Sequence, residues 1–133
     1  MLERWNPDLL HAPPGYHHVT VAQPGRLVSL AGQCPLDRGG LLVGPDDVVA
    51  QAQQVGLNIA VALESAGATA DDVVRTVVYV RSADRDDLAA VWDALMSSPV
   101  AAAFSSASTL LGVAQLGYPG QLVEVDVTAV LPA

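Results

Sequence analysis

The final strand-like segment constrains the fold more than any other part of the chain. Residues 122–131 read LVEVDVTAVL, so every second residue from Val123 to Ala129 is aliphatic. The positions between them include Glu124 and Asp126. This alternation predicts a β-strand whose successive side chains point to opposite faces of a sheet. The aliphatic face has to be covered by other elements, and the two acids then lie on the opposite face.

Other patterns supply two helices and four more strands. Aliphatic residues spaced by three and four predict one helix, and Asp84 is a good N-cap for a second helix that ends before Pro99. The resulting order, ββ-α-β-α-ββ, predicts an α+β fold with a mixed sheet and both helices on one face. In chain order we expect an irregular lead-in at 1–15, strands at 18–22 and 26–31 paired as a hairpin, a loop at 32–44, a helix at 47–66, a strand at 73–81, the second helix, a loop or irregular turn at 100–108, and strands at 109–115 and 122–131.

Length and hydrophobic content bound the organisation of the chain. The 133 residues are enough for one ordinary domain, so we expect a single domain over residues 1–133. Hydrophobic residues make up 51% and charged residues 15%, which is typical of a packed globular protein. One small core does not bury so much apolar surface, so we expect part of it to face another subunit.

The charges exclude several classes of function. There are 14 acidic residues against six basic ones, all six basic residues are Arg, and Lys is absent. We therefore expect no binding to nucleic acid or membrane surfaces, and Schiff-base chemistry on lysine is excluded. We see no signal peptide or membrane-spanning stretch, and Cys34 has no partner for a disulfide. The expectation is a cytoplasmic protein with no metal site and no cofactor.

Some polar residues have both a structural and a chemical interpretation. Glu124 and Asp126 are either part of a solvated sheet face, which the spacing alone favours, or include a carboxylate that positions or deprotonates water. Cys34 is either a small buried thiol, the simpler interpretation, or a nucleophile that needs a base nearby. The adjacent His17 and His18 point to opposite faces of a strand, which is poor geometry for one metal ion.

Several segments in register resemble the YjgF/RidA family. They cover nearly the whole chain and occur in the order found in that family. The matching segments are Gly15–His18, Leu30–Asp37, Gln51–Asn58 leading to Ala62–Ala68, Asp71–Thr76, Val78–Val80 and Leu122–Asp126.

The resemblance implies a chorismate-mutase-like α+β protomer that assembles as a homotrimer with ligand pockets between subunits. It also implies hydrolysis of reactive enamines and imines to a 2-oxo acid and ammonia. In that family an Arg binds the substrate carboxylate. Here Ser108 falls at this position, or Ala107 if the register shifts by one, and Ala31 stands where Ser is frequent. The implied site consists of Glu124 as the catalytic carboxylate and of Tyr16, Ala31, Gly32, Gln33, Ser108 and Thr109 as substrate-binding residues.

Three functions fit these observations. The first is a divergent RidA-like hydrolase or deaminase that takes a less charged or larger substrate, since Ser108 and Thr109 can donate hydrogen bonds but do not neutralise a carboxylate. The second is a non-catalytic trimer that binds a small metabolite or a protein partner. The third is thiol chemistry at Cys34. An Arg from a neighbouring subunit, Arg26 or Arg75, could also reach the pocket.

Overall fold

Both helices of the chain cover one face of a four-stranded sheet. The computed structural model describes residues 2–133. The elements are β1 (Leu2–Trp5), β2 (Val19–Ala22), β3 (Gly25–Ser29), α1 (Val48–Ser65), β4 (Val73–Val80), α2 (Arg85–Met96), β5 (Ala107–Gly112) and β6 (Val123–Pro132), with short 3-10 turns at Ala70–Asp72 and Ala101–Ser105.

The main sheet has the strand order β3-β6-β4-β5. Strand β6 is antiparallel to both of its neighbours, whereas β4 and β5 run parallel and are connected through α2. The predicted α+β fold with a mixed sheet and two helices on one face is confirmed. None of the helices within residues 2–133 has both the length and the apolar character needed to cross a lipid bilayer.

The core lies between β6, β4 and the two helices. The aliphatic residues of β6 from Val123 to Ala129 are at most 1% exposed, as the alternation predicted. They pack with Ile59 and Leu63 of α1 and with the fully buried Phe104, which lies in the second 3-10 turn. Helix α1 begins where predicted, because the Asp47 side chain accepts from the Ala50 N–H.

The predicted hairpin of the first two strands is wrong. Strand β2 pairs with β1, and β3 pairs with β6. The lead-in expected to be irregular contains β1, whose Arg4 guanidinium donates to the Ser106 hydroxyl and to the Val73 carbonyl oxygen. Arg4 contacts residues that are distant from it in the sequence. Local sequence patterns therefore did not reveal that β1, upstream of β2, is the strand that pairs with β2.

The segment at 100–108, expected to be a loop or irregular turn, forms a 3-10 turn and the first two residues of the edge strand β5. Strand β5 begins at Ala107, two residues before the predicted position, and ends at Gly112. Ser108 pairs with Thr76 of β4, and Thr109 pairs with Val77. Since the side chains of neighbouring residues in a strand point to opposite faces, Ser108 lies on the helix side of the sheet and Thr109 on the open side.

The buried side-chain amide of Gln51 connects α1 with the loop before this helix and with the turn before β6. Gln51 is fully buried, and its Nε2 donates to the Gly44 and Gly120 carbonyl oxygens, each at 3.1 Å. Its Oε1 accepts from the Leu122 N–H at 2.7 Å, directly before β6. The side chain thereby satisfies three backbone groups that have no strand partner.

We expect Gln51→Leu to lower the free energy of unfolding by about 3 kcal/mol, because a fully buried side chain loses three hydrogen bonds to the backbone, and the Gly120 carbonyl oxygen and the Leu122 N–H lose the partner that Gln51 provides. Gln53→Leu, at an exposed position of the same helix, is the matched control and should change it by less than about 0.5 kcal/mol. Urea denaturation followed by circular dichroism measures both variants. Equal midpoints for the two variants would contradict the role of Gln51.

Candidate functional site

Glu124 lies on β6, half-buried on the open side of the sheet and opposite Tyr79 of β4. Its Oε1 accepts from Gln121 Nε2 at 3.0 Å and from Cys34 Sγ at 3.2 Å. Gln121 is itself buried, and its Nε2 also donates to the Val123 carbonyl oxygen. Two donors on one oxygen therefore fix the orientation of the carboxylate.

The loop after β3 runs directly across the two acids. A Cβ on Gly32 would overlap Oε2 of Glu124 and would lie 3.0 Å from Oδ1 of Asp126, so only glycine permits this approach. The loop is held in place by Gln33, whose N–H donates to the Val125 carbonyl oxygen at 2.8 Å and whose carbonyl oxygen accepts from the Val125 N–H at 3.1 Å. The Gly32 and Gln33 predicted for the site thus lie beside Glu124.

Cys34 donates a hydrogen bond to Glu124. Burial, followed by the hydrogen bond to and the negative charge of Glu124, raises the pKa of the thiol to about 11. At neutral pH the side chain is therefore a protonated donor that orients the carboxylate. A nucleophilic thiolate needs the opposite pKa shift, so this environment does not favour thiol chemistry at Cys34.

Asp126 and Thr109 are bonded to their neighbours on the same open face. The Tyr79 hydroxyl donates to Asp126 Oδ2 at 3.0 Å, and this hydrogen bond raises the pKa of Tyr79. Arg75 donates to the Thr109 hydroxyl at 2.7 Å. Arg75 is thus on the sheet face that carries Glu124. Ala31 is exposed in the loop after β3, and its carbonyl oxygen accepts from the Gln33 side chain.

Tyr16 and Ser108 lie elsewhere, in a cavity of about 520 Å³ between α2 and β5. The Tyr16 ring meets Trp92 edge-on with the ring centroids 6.2 Å apart. The Ser108 hydroxyl accepts from Thr76 at 2.6 Å and donates to the Ser106 carbonyl oxygen at 2.9 Å. The cavity wall also includes Arg85, Leu88 and Leu110.

The three histidines lie in the segment between β1 and β2, and two of them, His11 and His18, contact each other. The His17 ring bonds to the Ser105 carbonyl oxygen, and the His18 ring bonds to the His11 carbonyl oxygen at 2.8 Å. The His18 ring also meets the rings of His11 and Tyr16 edge-on. Over residues 2–133 no cluster of three His, Cys, Asp or Glu side chains is arranged to hold a metal ion.

The residues predicted for the site therefore form two groups on opposite faces of one sheet. Glu124 and Thr109 are on the open face, and Gly32 and Gln33 lie against Glu124. Ser108 is on the helix side, because its partner Thr76 is buried there. A single protomer does not bring the two groups together.

The structure adds site residues that the sequence did not indicate. Gln121 precedes β6 in a turn, and Arg85 and Trp92 lie on α2. Gln121 lies outside the periodic segments of the sequence, so no pattern distinguishes it from an ordinary loop residue. Arg85 and Trp92 are separated by seven residues, which is the spacing of one helix face, but helical spacing alone does not show that a face borders a cavity.

Comparison with known proteins agrees with this architecture. Residues 9–131 match the family model for endoribonuclease L-PSP. A RutC family protein of Synechocystis is 36% identical over 122 residues, which cover 91% of this chain and 90% of that protein.

Two solved structures show the same fold. The first is YyfB from Yersinia pestis, a protein of unknown function of the conserved Rid family; it has a TM-score of 0.86 and 34% identity, with 98% of each chain covered. The second is RidA from the Antarctic bacterium Psychrobacter sp. PAMC 21119, with a TM-score of 0.68, 26% identity, and 91% of this chain and 92% of that chain covered.

The fold and the position of Glu124 define a small α+β protein of the chorismate-mutase-like type, with a half-buried carboxylate on an open sheet face. Residues 9–131 fit the family model, and a relative over 30% identical matches nine-tenths of the chain. The chain belongs to the YjgF/RidA family, as the sequence motifs predicted.

The environment of Cys34 predicts slow alkylation. Iodoacetamide should react with Cys34 at a rate that rises with pH towards a midpoint near 11, because only the thiolate reacts. Glu124→Gln removes the neighbouring negative charge and should move this midpoint to lower pH, while burial continues to hold it above that of a free thiol. The rate is measured by mass spectrometry of the intact protein. A midpoint below 9 in the wild type would contradict the hydrogen bond from Cys34 to Glu124.

Proposed function

We propose that the protein is a divergent RidA-like hydrolase that converts an imine or enamine into a carbonyl compound and ammonia. The proposed unit is a homotrimer in which residues 1–133 form one domain of each subunit and the substrate binds in a cleft between subunits. Membership of the YjgF/RidA group, whose members are generally imine and enamine deaminases, supports the reaction class. The observation that carries the proposal is the fixed, half-buried carboxylate of Glu124.

In the proposed reaction Glu124 positions a water molecule and accepts one of its protons as the oxygen attacks the imine carbon. The C=N double bond becomes a C–N single bond, and the nitrogen takes up a proton. The resulting carbinolamine then loses ammonia, the C–O bond becomes a carbonyl, and Glu124 returns to its ionised form. Within residues 2–133 Glu124 Oε2 accepts no hydrogen bond, which leaves it for the water, whereas Oε1 is held by Gln121 and Cys34.

The division of the site between two sheet faces supports the proposed assembly. Glu124 with Gly32 on the open face and Tyr16 with Ser108 on the helix side become one cleft only if another copy of the chain contributes the second group. The open face also carries exposed apolar residues, including Leu27 at 69% and Leu111 at 42% exposure, which association would cover.

A non-catalytic trimer that binds a metabolite is the second candidate. One observation favours it: the Ser108 hydroxyl, at the position of the expected Arg, already bonds to Thr76 and Ser106. It has no proton left for a substrate carboxylate. Ligand binding without turnover would distinguish this function from the first.

Light scattering after size-exclusion chromatography should give a mass close to three times 13.7 kDa. Leu27→Asp should lower this mass, because it places a charge on the open face. Leu41→Asp, at an equally exposed loop position, is the control and should leave the mass unchanged. A wild-type protein that elutes with the mass of one chain at micromolar concentration would contradict the shared cleft.

Glu124→Gln should reduce ammonia release by about 10²–10⁴-fold, since a general base contributes a factor of this size. The substitution keeps the shape of the side chain and an oxygen that can accept from Gln121 and Cys34. Ammonia is measured with a panel of imino acids, which amino-acid oxidases generate in the assay, and of neutral imines, which amine oxidases generate in the same way. Glu64→Gln, exposed on α1, is the matched control with wild-type rates.

Equal rates for the wild type and for Glu124→Gln would exclude the catalytic role. Absence of ammonia release from the whole panel, together with saturable ligand binding, would favour the non-catalytic trimer.

A further inference from the structure

We propose that Arg85 of α2 binds the carboxylate of the ligand, and that the ligand has an aromatic or branched apolar body. This inference rests on the proposed function only in placing the ligand in the same cleft. It assigns an anion-binding role to a residue outside the family motif, in a chain whose Ser108 does not supply one.

The carrying observation is the composition of the cavity between α2 and β5. Its volume of about 520 Å³ accommodates a ligand of the size of a substituted aromatic acid. Arg85 is the one cationic side chain in the described wall, and the apolar part of the wall comes from Leu88, Trp92 and Leu110. A wall of this kind binds a molecule that is apolar over most of its length and anionic at one end.

The Arg85 guanidinium has no partner within the part of the chain that the structure describes. Arg4, Arg75 and Arg81 each donate to an oxygen of the protein, whereas Arg26 and Arg38 share with Arg85 the lack of a partner within residues 2–133 but do not line this cavity. A guanidinium without an internal partner at the rim of a cavity keeps its donors for a carboxylate, which it can bind in bidentate geometry.

The stability of α2 does not account for Arg85. It lies in the first turn, where the helix dipole favours negative side chains. The neighbouring acids are engaged in capping: Asp84 accepts from the Asp86 N–H at 2.9 Å, and Asp87 accepts from the Ser82 hydroxyl at 2.7 Å. They support the helix, whereas Arg85 carries the sign that this position disfavours.

The charged residues that line the cavity favour one orientation of an anionic ligand. Asp93 lines the cavity two helical turns after Arg85, about 12 Å farther along the helix axis. Among the residues that line the cavity, Asp93 repels an anionic group and Arg85 attracts one, so the carboxylate is favoured at the Arg85 end. Trp92 lies between the two charges and donates to the Pro14 carbonyl oxygen at 3.3 Å, which fixes the aromatic surface against which the apolar body packs.

The test compares phenylacetate with phenylacetamide, which has nearly the same shape but no charge, and with acetate, which lacks the apolar body. Binding to the full-length protein is followed through the NMR signal of the Trp92 indole N–H. The Trp5→Phe variant identifies this signal, because the chain has two Trp residues. We expect phenylacetate to bind about tenfold or more tightly than phenylacetamide, and acetate to produce no saturable shift at the concentrations that saturate with phenylacetate.

Arg85→Gln should reduce the preference for phenylacetate over phenylacetamide to less than about twofold while the affinity for phenylacetamide stays within twofold of wild type. Arg85→Lys should retain part of the preference, because it keeps the charge without the bidentate geometry. Arg81→Gln removes the same charge directly after β4, where Arg81 donates to the Ala114 carbonyl oxygen and does not line the cavity, and should retain the full preference. The ratio of two affinities is insensitive to a uniform loss of folded protein.

An unchanged preference in Arg85→Gln would overturn the inference, and so would a wild type that does not bind phenylacetate or does not prefer it. The assay measures binding alone, so it separates this inference from the proposed reaction. A protein that binds phenylacetate through Arg85 but releases no ammonia from any imine would retain this inference and lose the proposed hydrolase function.

Discussion

The pairing of β6 with both β3 and β4 is the interaction on which the rest of the structure depends. Strand β6 lies inside the sheet, so its backbone is satisfied on both edges and its side chains divide strictly between two faces. The helix side carries the aliphatic residues from Val123 to Ala129, which form the centre of the core. The open side carries Glu124 and Asp126. One strand therefore fixes both the core and the carboxylate, and a slip of one residue in register would exchange them.

The polar groups around Glu124 explain how a carboxylate is held on a partly buried sheet face. Gln121 is buried directly before β6 and uses both amide protons, one on the Val123 carbonyl oxygen and one on Glu124. Cys34 adds its thiol proton, and the absence of a side chain on Gly32 leaves room for Oε2. The single cysteine is thus part of the support of the acid, which gives a physical reason for its high pKa.

The six Arg residues, without any Lys, have distinct structural positions. Arg4 ties β1 to the turn before β5 and to β4, and Arg75 bonds to Thr109 on the open face. Arg85 lies at the cavity that also contains Ser108. Ser108 on β5 and Arg85 on α2 thus line the same cavity from two neighbouring elements. Guanidinium groups suit such sites since they remain charged and bind oxygens in a planar fork.

Local patterns in the sequence determined both helices, the central strand and the face on which Glu124 lies, because helical and strand periodicities show directly which side chains share a face. The family motifs identified the fold, and the site residues that they imply stay predictions.

Only the tertiary structure decided the partners. It placed β2 beside β1 rather than β3 and divided Ser108 and Glu124 between two sheet faces. It also placed Gln121 beside Glu124 and Arg85 in the wall of the cavity that contains Ser108. These outcomes depend on contacts between residues distant in sequence, such as Arg4 with Val73 and Cys34 with Glu124. Periodicity carries no information about such contacts, because it records which face a residue occupies and not which element covers that face.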